Sequence, residues 1–309
     1  MRMKKTSLAI SRRNFLQVSA GSLAAASVGI VSGQKVSAPA KKKNQVRDCF
    51  WAWAHEAGVY NGHWGLPAAS RITPVEGAHF LGVPNIIFIR YENKPPMPCD
   101  QYAVPFRSLQ RVNWSITGAG GLTSDQEREQ VLQLAAKMPN FTGLFMDDFF
   151  NLDRSPQDSS NPATAALTVP QLRQLREKLN VNGRKLDLGV TLYMTQLDAR
   201  ILGHIDLCDV VSLWTWKAAD LRELENNFEK AKKLLPTKRL RLGCYMWDFG
   251  TEKPMPLDLM KKQCELGLQW LKAGRIEGMI FLATNICDLQ LETVEWTRQW
   301  IGQVGDELL

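Results

Sequence analysis

Between residues 47 and 302, short apolar runs alternate with stretches of helical periodicity, and the alternation repeats eight times. The strand-like runs are 48–54, 84–91, 111–117, 142–148, 185–193, 208–216, 239–247 and 277–284. Helical patterns are clearest at 124–138, 169–180, 219–235, 256–273 and 289–302. They are weaker at 71–82 and 99–110, which contain Pro74 and Pro105. Strands separated by helices of this length form parallel βαβ units. Eight of them with no second composition regime predict a single closed (β/α)8 barrel over 47–305, with a doubly wound open sheet as the structural alternative. The ~270 residues after position 40 suit that fold, for which about 250 is typical.

Alternation along the runs assigns faces. In 185–193 and its extension, Leu186, Leu188, Val190, Leu192 and Met194 suit packing against helices, leaving Asp187, Gly189, Thr191, Tyr193 and Thr195 inward. The third run sets Asn113, Ser115 and Thr117 inward, and the seventh Gly243, Tyr245 and Trp247. The fourth places Gly143, Phe145 and Asp147 inward, with Asp148 on the rim. The interior of such a barrel becomes polar toward the carboxyl ends of its strands, the face where active sites of this fold lie.

The strand ends there carry chemistry. The fourth run closes on Asp147-Asp148, the first on Trp53-Ala-His55-Glu56, and the second on Arg90-Tyr-Glu92. The sixth ends in Trp214-Thr-Trp216, the seventh in Tyr245-Met-Trp247-Asp248, and the eighth in Thr284-Asn285. Glycoside hydrolysis needs two carboxyl groups about the scissile bond, one to protonate the leaving oxygen and one to attack or activate water. Adjacent acids in a poorly hydrated pocket raise each other's pKa, which keeps one protonated as a general acid. Asp147 or Asp148 is therefore one expected catalytic partner, with Glu56 or Asp248 across the mouth as the other. Trp53, Trp214, Trp216 and Trp247 offer aromatic faces to sugar C–H groups. His55, Arg90, Glu92, Asn113, Tyr193, Tyr245 and Asn285 are expected to hold hydroxyls or orient the acids. A strand-four pair facing the pocket alone, with no opposing acid, would instead make the chain an exported barrel that binds glycan without cutting it.

In architecture the chain resembles the broad group of (β/α)8 glycosidase-like proteins over most of 47–302. Phe141-Thr-Gly143-Leu-Phe-Met-Asp147 is similar to the fourth-strand motif of chitinase-type enzymes, F-D-G-x-D-x-D-x-E, at Gly143 and Asp147. Thr142 and Phe145 replace its earlier acids and Phe149 its catalytic glutamate, so that mechanism is not carried over. Other polysaccharide-active barrels also end strand four in Asp-Asp. The resemblance implies a carbohydrate substrate and no cofactor.

Competing classes lack their signatures. Of four histidines, His55-Glu56 and His63 miss the H-E-x-x-H spacing of a zinc hydrolase, so a metal-dependent hydrolase is the lesser alternative and no metal ligand is assigned. Gly118-Ala-Gly120-Gly121 is not a dinucleotide fingerprint and reads as a flexible turn. No G-x-S-x-G elbow occurs. The six cysteines are scattered without C-x-x-C, as buried free thiols would be.

The first forty residues read as an address. Ser11-Arg12-Arg13-Asn14-Phe15-Leu16 precedes an Ala/Gly/Ser-rich apolar stretch to Val31, with small residues offering cleavage after Ala38 or Ala40. This resembles a twin-arginine signal and implies passage through that translocon to the periplasm or beyond. The stretch is too short for a permanent membrane anchor. Six of the 38 lysines and arginines, and none of the 31 acids, precede residue 41, leaving 32 bases against 31 acids. The basicity belongs to the address, so nothing argues for nucleic acid. Lys41-Lys42-Lys43 opens residues 41–46, a solvated start to the mature chain.

Overall fold

The computed structural model describes residues 44–152 and 164–309; the expected signal segment lies outside them. Eight parallel strands close into a barrel: β1 (Phe50–Ala54), β2 (Asn85–Phe88), β3 (Arg111–Thr117), β4 (Phe141–Met146), β5 (Asp187–Tyr193), β6 (Val210–Trp214), β7 (Arg239–Tyr245) and β8 (Gly278–Leu282). Each strand neighbours the next in sequence, and β1 pairs with β8 to close the ring, Phe50 opposite Met279 through Trp53 opposite Leu282. Seven strands lie inside their predicted runs, trimmed by up to three residues at an end, and β4 begins one residue before its run. The register of β1 on β2 (Trp51 opposite Asn85) and β2 on β3 (Asn85 opposite Arg111) aligns the bottoms of three strands. The chain is a (β/α)8 barrel.

Seven helices are described: α1 (Pro74–Leu81), α2 (Asp125–Lys137), α3 (Val169–Glu177), α4 (Leu202–Ile205), α5 (Leu224–Leu234), α6 (Leu257–Lys272) and α7 (Glu292–Val304). Pro74 sits in the first turn of α1, where its missing N–H costs nothing, behind a reciprocal Thr73–Glu76 capping box. At 99–110 only a 3₁₀ segment forms, Val104–Ser108. Pro105 there removes a helix donor, and the connection stays irregular. Ser124 caps α2 by accepting the Glu127 N–H at 3.1 Å, without a reciprocal capping box. The Glu127 carboxylate turns instead to Arg90, 2.9 Å away.

Between the barrel and its helices the core is continuous. Leu188, Val190 and Leu192 on β5 and Val112, Trp114 and Ile116 on β3 are fully buried in it. Trp114 packs with Phe88 and Phe106 at centroid distances of 4.3 and 5.2 Å. Inside the ring, Gly243 lies directly under the Trp214 indole: a Cβ there would come within 2.1 Å of the ring. Trp214 cannot step aside, because it is fully buried and its Nε1 donates to Ser212 Oγ at 3.0 Å. Gly243→Ala is expected to cost about 1–3 kcal/mol through overpacking and to alter tryptophan fluorescence as the indole shifts. A thermal melt and emission spectrum matching wild type would contradict this packing.

Candidate active site

At the carboxyl ends of the strands lies a cavity of about 530 Å³, within the range of small-ligand sites. Asp147 and Asp148 both line it. β4 ends at Met146, and Asp147 continues the strand path with its N–H bonded to Thr117 O at 2.9 Å. Asp147 is buried, and its Oδ1 accepts the Thr191 hydroxyl at 3.1 Å. Burial, and then the neighbouring Asp148 charge, push its carboxyl well above the usual carboxylate range.

Asp148 takes the left-handed region at φ +43°, uncommon for a residue with a side chain and found at functional sites. That turn brings the second carboxylate back to the cavity instead of leaving it outside. Tyr193 Oη donates to its Oδ1 and the Gly120 N–H to its Oδ2, both at 2.8 Å. Gly120 is itself left-handed at φ +72°, which glycine adopts freely. Gly118-Ala-Gly-Gly is therefore a defined turn that holds a catalytic candidate. Two donors aimed at two oxygens suit a negative charge there.

Aromatic rings make the walls. Trp53, Trp214, Trp216, Tyr193 and Tyr245 all line the cavity as predicted, and so does His55. Trp53 packs edge-on against Trp214 at 5.1 Å, and Trp216 against Tyr193 at 5.9 Å. Burial pushes the Tyr193 and Tyr245 phenols well above their ordinary value, so they stay protonated donors. His55 Nε2 accepts the Trp53 indole N–H at 3.1 Å and Nδ1 donates to Ile89 O at 2.9 Å, which fixes the neutral tautomer.

Burial lowers the His55 pKa to about 4, from about 6.5 when unfolded. Between those values the unfolded chain binds a proton that the fold refuses, so stability falls with pH across that window. The loss is about 3 kcal/mol. His55→Gln is expected to flatten the urea stability profile between pH 6.5 and 4, and an unchanged slope would refute it.

Other predicted site residues stand elsewhere. Arg90 is not in the cavity: its guanidinium is buried against Glu127, because an unpaired buried charge is too costly. Glu92 is exposed beside Lys94, on a turn where Glu92 and Asn93 are both left-handed. Glu56 does not line the cavity, and its backbone carbonyl is held by Asn285 Nδ2 at 2.7 Å. Asn285 Oδ1 takes the His55 N–H at 3.2 Å, so Asn285 positions the segment after β1 from beneath the wall. Asn113 is buried lower in the barrel, accepting the Thr142 hydroxyl at 2.9 Å.

After β7 the strand alternation breaks into a ribbon, Trp247–Asp248 against Lys253–Pro254. That turns Trp247 to donate to Trp64 O at 2.9 Å and Asp248 to accept the Thr251 hydroxyl at 2.6 Å, both away from the cavity.

Several lining residues were not singled out in the sequence: Tyr60 and Trp64 from the loop after β1, Asp220 and Phe249. Tyr60 and Trp64 lie on the irregular segment that follows β1, so strand alternation gives no signal for them. Asp220 sits on the 3₁₀ segment Ala218–Glu223, exposed at the rim two strands round from β4. It is the one further carboxylate on the cavity among the described residues. No group of three or more metal-ligating side chains occurs among the described residues, and no described helix is long and apolar enough to cross a membrane. All six cysteines are free, Cys49 half-buried and the others buried.

No family model matches the chain, and no curated protein does. Solved structures do. One is active domain 2 of a thermostable chitinase from Pyrococcus furiosus, at 16% identity and TM-score 0.50, covering 78% of this chain and 85% of that one. Another is the spore cortex-lytic enzyme SleL of Bacillus megaterium, at 11% identity and TM-score 0.51, covering 87% and 75%. At such identities the likeness is one of fold: the chain shares its (β/α)8 barrel architecture with these two proteins.

Proposed function

We propose that this chain is an exported glycoside hydrolase, with Asp147 and Asp148 as its acid–base pair. The observation that carries the reading is that two adjacent carboxyl groups share one aromatic-walled cavity in unlike environments. Asp147 is desolvated and prefers its proton, whereas Asp148 has a donor on each oxygen. Neighbouring carboxyls in such unlike environments divide into a proton donor and a charge-stabilising partner. Asp147 then protonates the leaving oxygen as the glycosidic bond breaks, while Asp148 stabilises the positive charge that develops on the sugar ring and takes the proton of the water that adds to the anomeric carbon. Trp216 offers its partly exposed indole to the ring's C–H surfaces, the buried Trp53 and Trp214 complete the wall, and the phenols of Tyr193 and Tyr245 reach the sugar hydroxyls. The twin-arginine-like segment supports export by that translocon, with carbohydrate met in the periplasm or outside the cell.

A second reading is glycan binding without cleavage. It is favoured by one observation: neither Glu56 nor Asp248 lines the cavity, so the strand-four pair is faced only by the exposed Asp220. The discriminating experiment is hydrolysis of a panel of polysaccharides and aryl glycosides by the mature protein beside Asp148→Asn. Turnover that disappears in a variant with a wild-type melt supports the hydrolase. Glycan binding with no turnover in either protein establishes the second reading, and absence of both sinks the carbohydrate assignment.

A further inference from the structure

At the opposite end of the barrel, where the strands begin, lies a second cavity of about 390 Å³. Five basic side chains line it, Arg111, Arg184, Lys185, Arg239 and Arg241, with two acids, Asp187 and Glu277. The acids are already engaged. Glu277 receives Arg239 at 3.2 Å and Arg241 at 2.8 Å, and Asp187 receives Arg239 at 2.5 Å. The remaining guanidinium groups are held by neutral acceptors only. Arg184 donates to Phe141 O at 2.8 Å and Pro139 O at 2.9 Å, and Arg111 to Asn85 Oδ1 at 3.0 Å and to Asp48 O.

Three positive charges on this wall are therefore unbalanced. Arg241 is the most telling of the five. Its side chain is only 4% exposed, and it stacks on Trp51 at 4.1 Å while Arg111 takes the same ring at 4.7 Å. Its Nη1 is buried with no hydrogen-bond partner. A buried guanidinium donor without an acceptor is rare in a folded protein, because its lost hydration is not replaced.

We propose that this amino-end cavity is a binding site for a tetrahedral oxyanion, a phosphate or sulfate group. The donors arrive from β3, β7 and a short ribbon before β5, Asn180–Val181 against Arg184–Lys185, so they surround a ligand with several oxygens instead of gripping one planar carboxylate. Arg241 Nη1 supplies a fixed buried donor, and exposed Lys185 closes the outer side. The room exceeds that of the bare ion, so the group is accommodated either free or as an ester on a sugar. This inference does not rest on the hydrolase reading, because the acids of that reading stand at the other end of the strands.

The test is calorimetric titration of the mature protein with sodium sulfate, sodium phosphate and glucose 6-phosphate, against sodium chloride at equal ionic strength. Saturable binding of the oxyanions with Kd below about 1 mM is expected. Arg241→Met should weaken it about tenfold or more, the scale of a lost charge-assisted hydrogen bond. Lys185→Glu, a charge reversal on an exposed side chain that should leave folding intact, should do so too. Asp148→Asn should bind the anion as wild type does, whatever becomes of hydrolysis. Tighter binding of the sugar ester than of the free ions would name an ester group as the source, and the reverse a free ion. Heat that chloride reproduces, or an affinity unchanged in Lys185→Glu, would overturn the site and leave the cluster as a structural seal.

Discussion

Asp147→Asn is expected to lower kcat by about 10³-fold, within the range lost with a general acid, while raising the melting temperature at neutral pH. Both effects have one cause. The Asp147 carboxyl is desolvated beside a second carboxylate, so its folded pKa lies above its unfolded value. Such a group stabilises the fold only below the unfolded value of about 3.9, and that contribution is lost as pH rises through the folded pKa. Asparagine keeps the shape and an acceptor for the Thr191 hydroxyl, and removes the penalty at neutral pH. The stability gain should therefore shrink as pH falls toward 4. Retained activity, or a variant less stable than wild type at pH 7, would remove Asp147 from the donor role. The kcat/KM profile supplies an independent reading, because a protonated donor produces an alkaline limb that the variant must lose.

Glu127→Ala is expected to destabilise the protein by about 3–5 kcal/mol, the cost of stranding one member of a buried ion pair. Arg90 and Glu127 are 7% and 5% exposed, and the other Arg90 donors reach only the carbonyls of Pro95 and Asn93, at 3.2 and 2.6 Å. Burial raises the Glu127 pKa despite the arginine, a sign that desolvation outweighs the attraction. The Arg90→Met/Glu127→Met double variant should recover most of the loss in urea denaturation, since no charge is then left unpaired. A single variant within 1 kcal/mol of wild type would show that water reaches the pair. The consequence extends to the active site. Arg90 O accepts the Ala119 N–H at 3.0 Å, and the same turn presents Gly120 to Asp148. Loss of the pair should therefore loosen the support of Asp148 and lower activity in the protein that remains folded.

The barrel was legible because its code is periodic. Eight apolar runs with helices between them leave few topologies, and alternation in β3, β4 and β5 correctly set Trp114 outside the ring and Asp147, Thr191 and Tyr193 at the cavity. The same periodicity fails once a strand ends. Asp148, expected on the rim as the other candidate of the pair, lines the cavity with a positive φ that alternation does not foresee. Asp248 and Trp247 were expected beside it, and a short ribbon after β7 turned them away. Long side chains obey partners more than alternation: Arg90 stands at a strand end, yet a glutamate on α2 claims it.

Local sequence by itself determined the strands, the order in which they close, and the presence of paired acids and tryptophans at their carboxyl ends. Only the tertiary structure decided which of those groups share one cavity. That choice rests on loop backbone angles, on the competition of buried charges for partners, and on residues such as Tyr60, Trp64 and Asp220 brought in from outside the strands. These are long-range terms, and no local pattern in the chain encodes them.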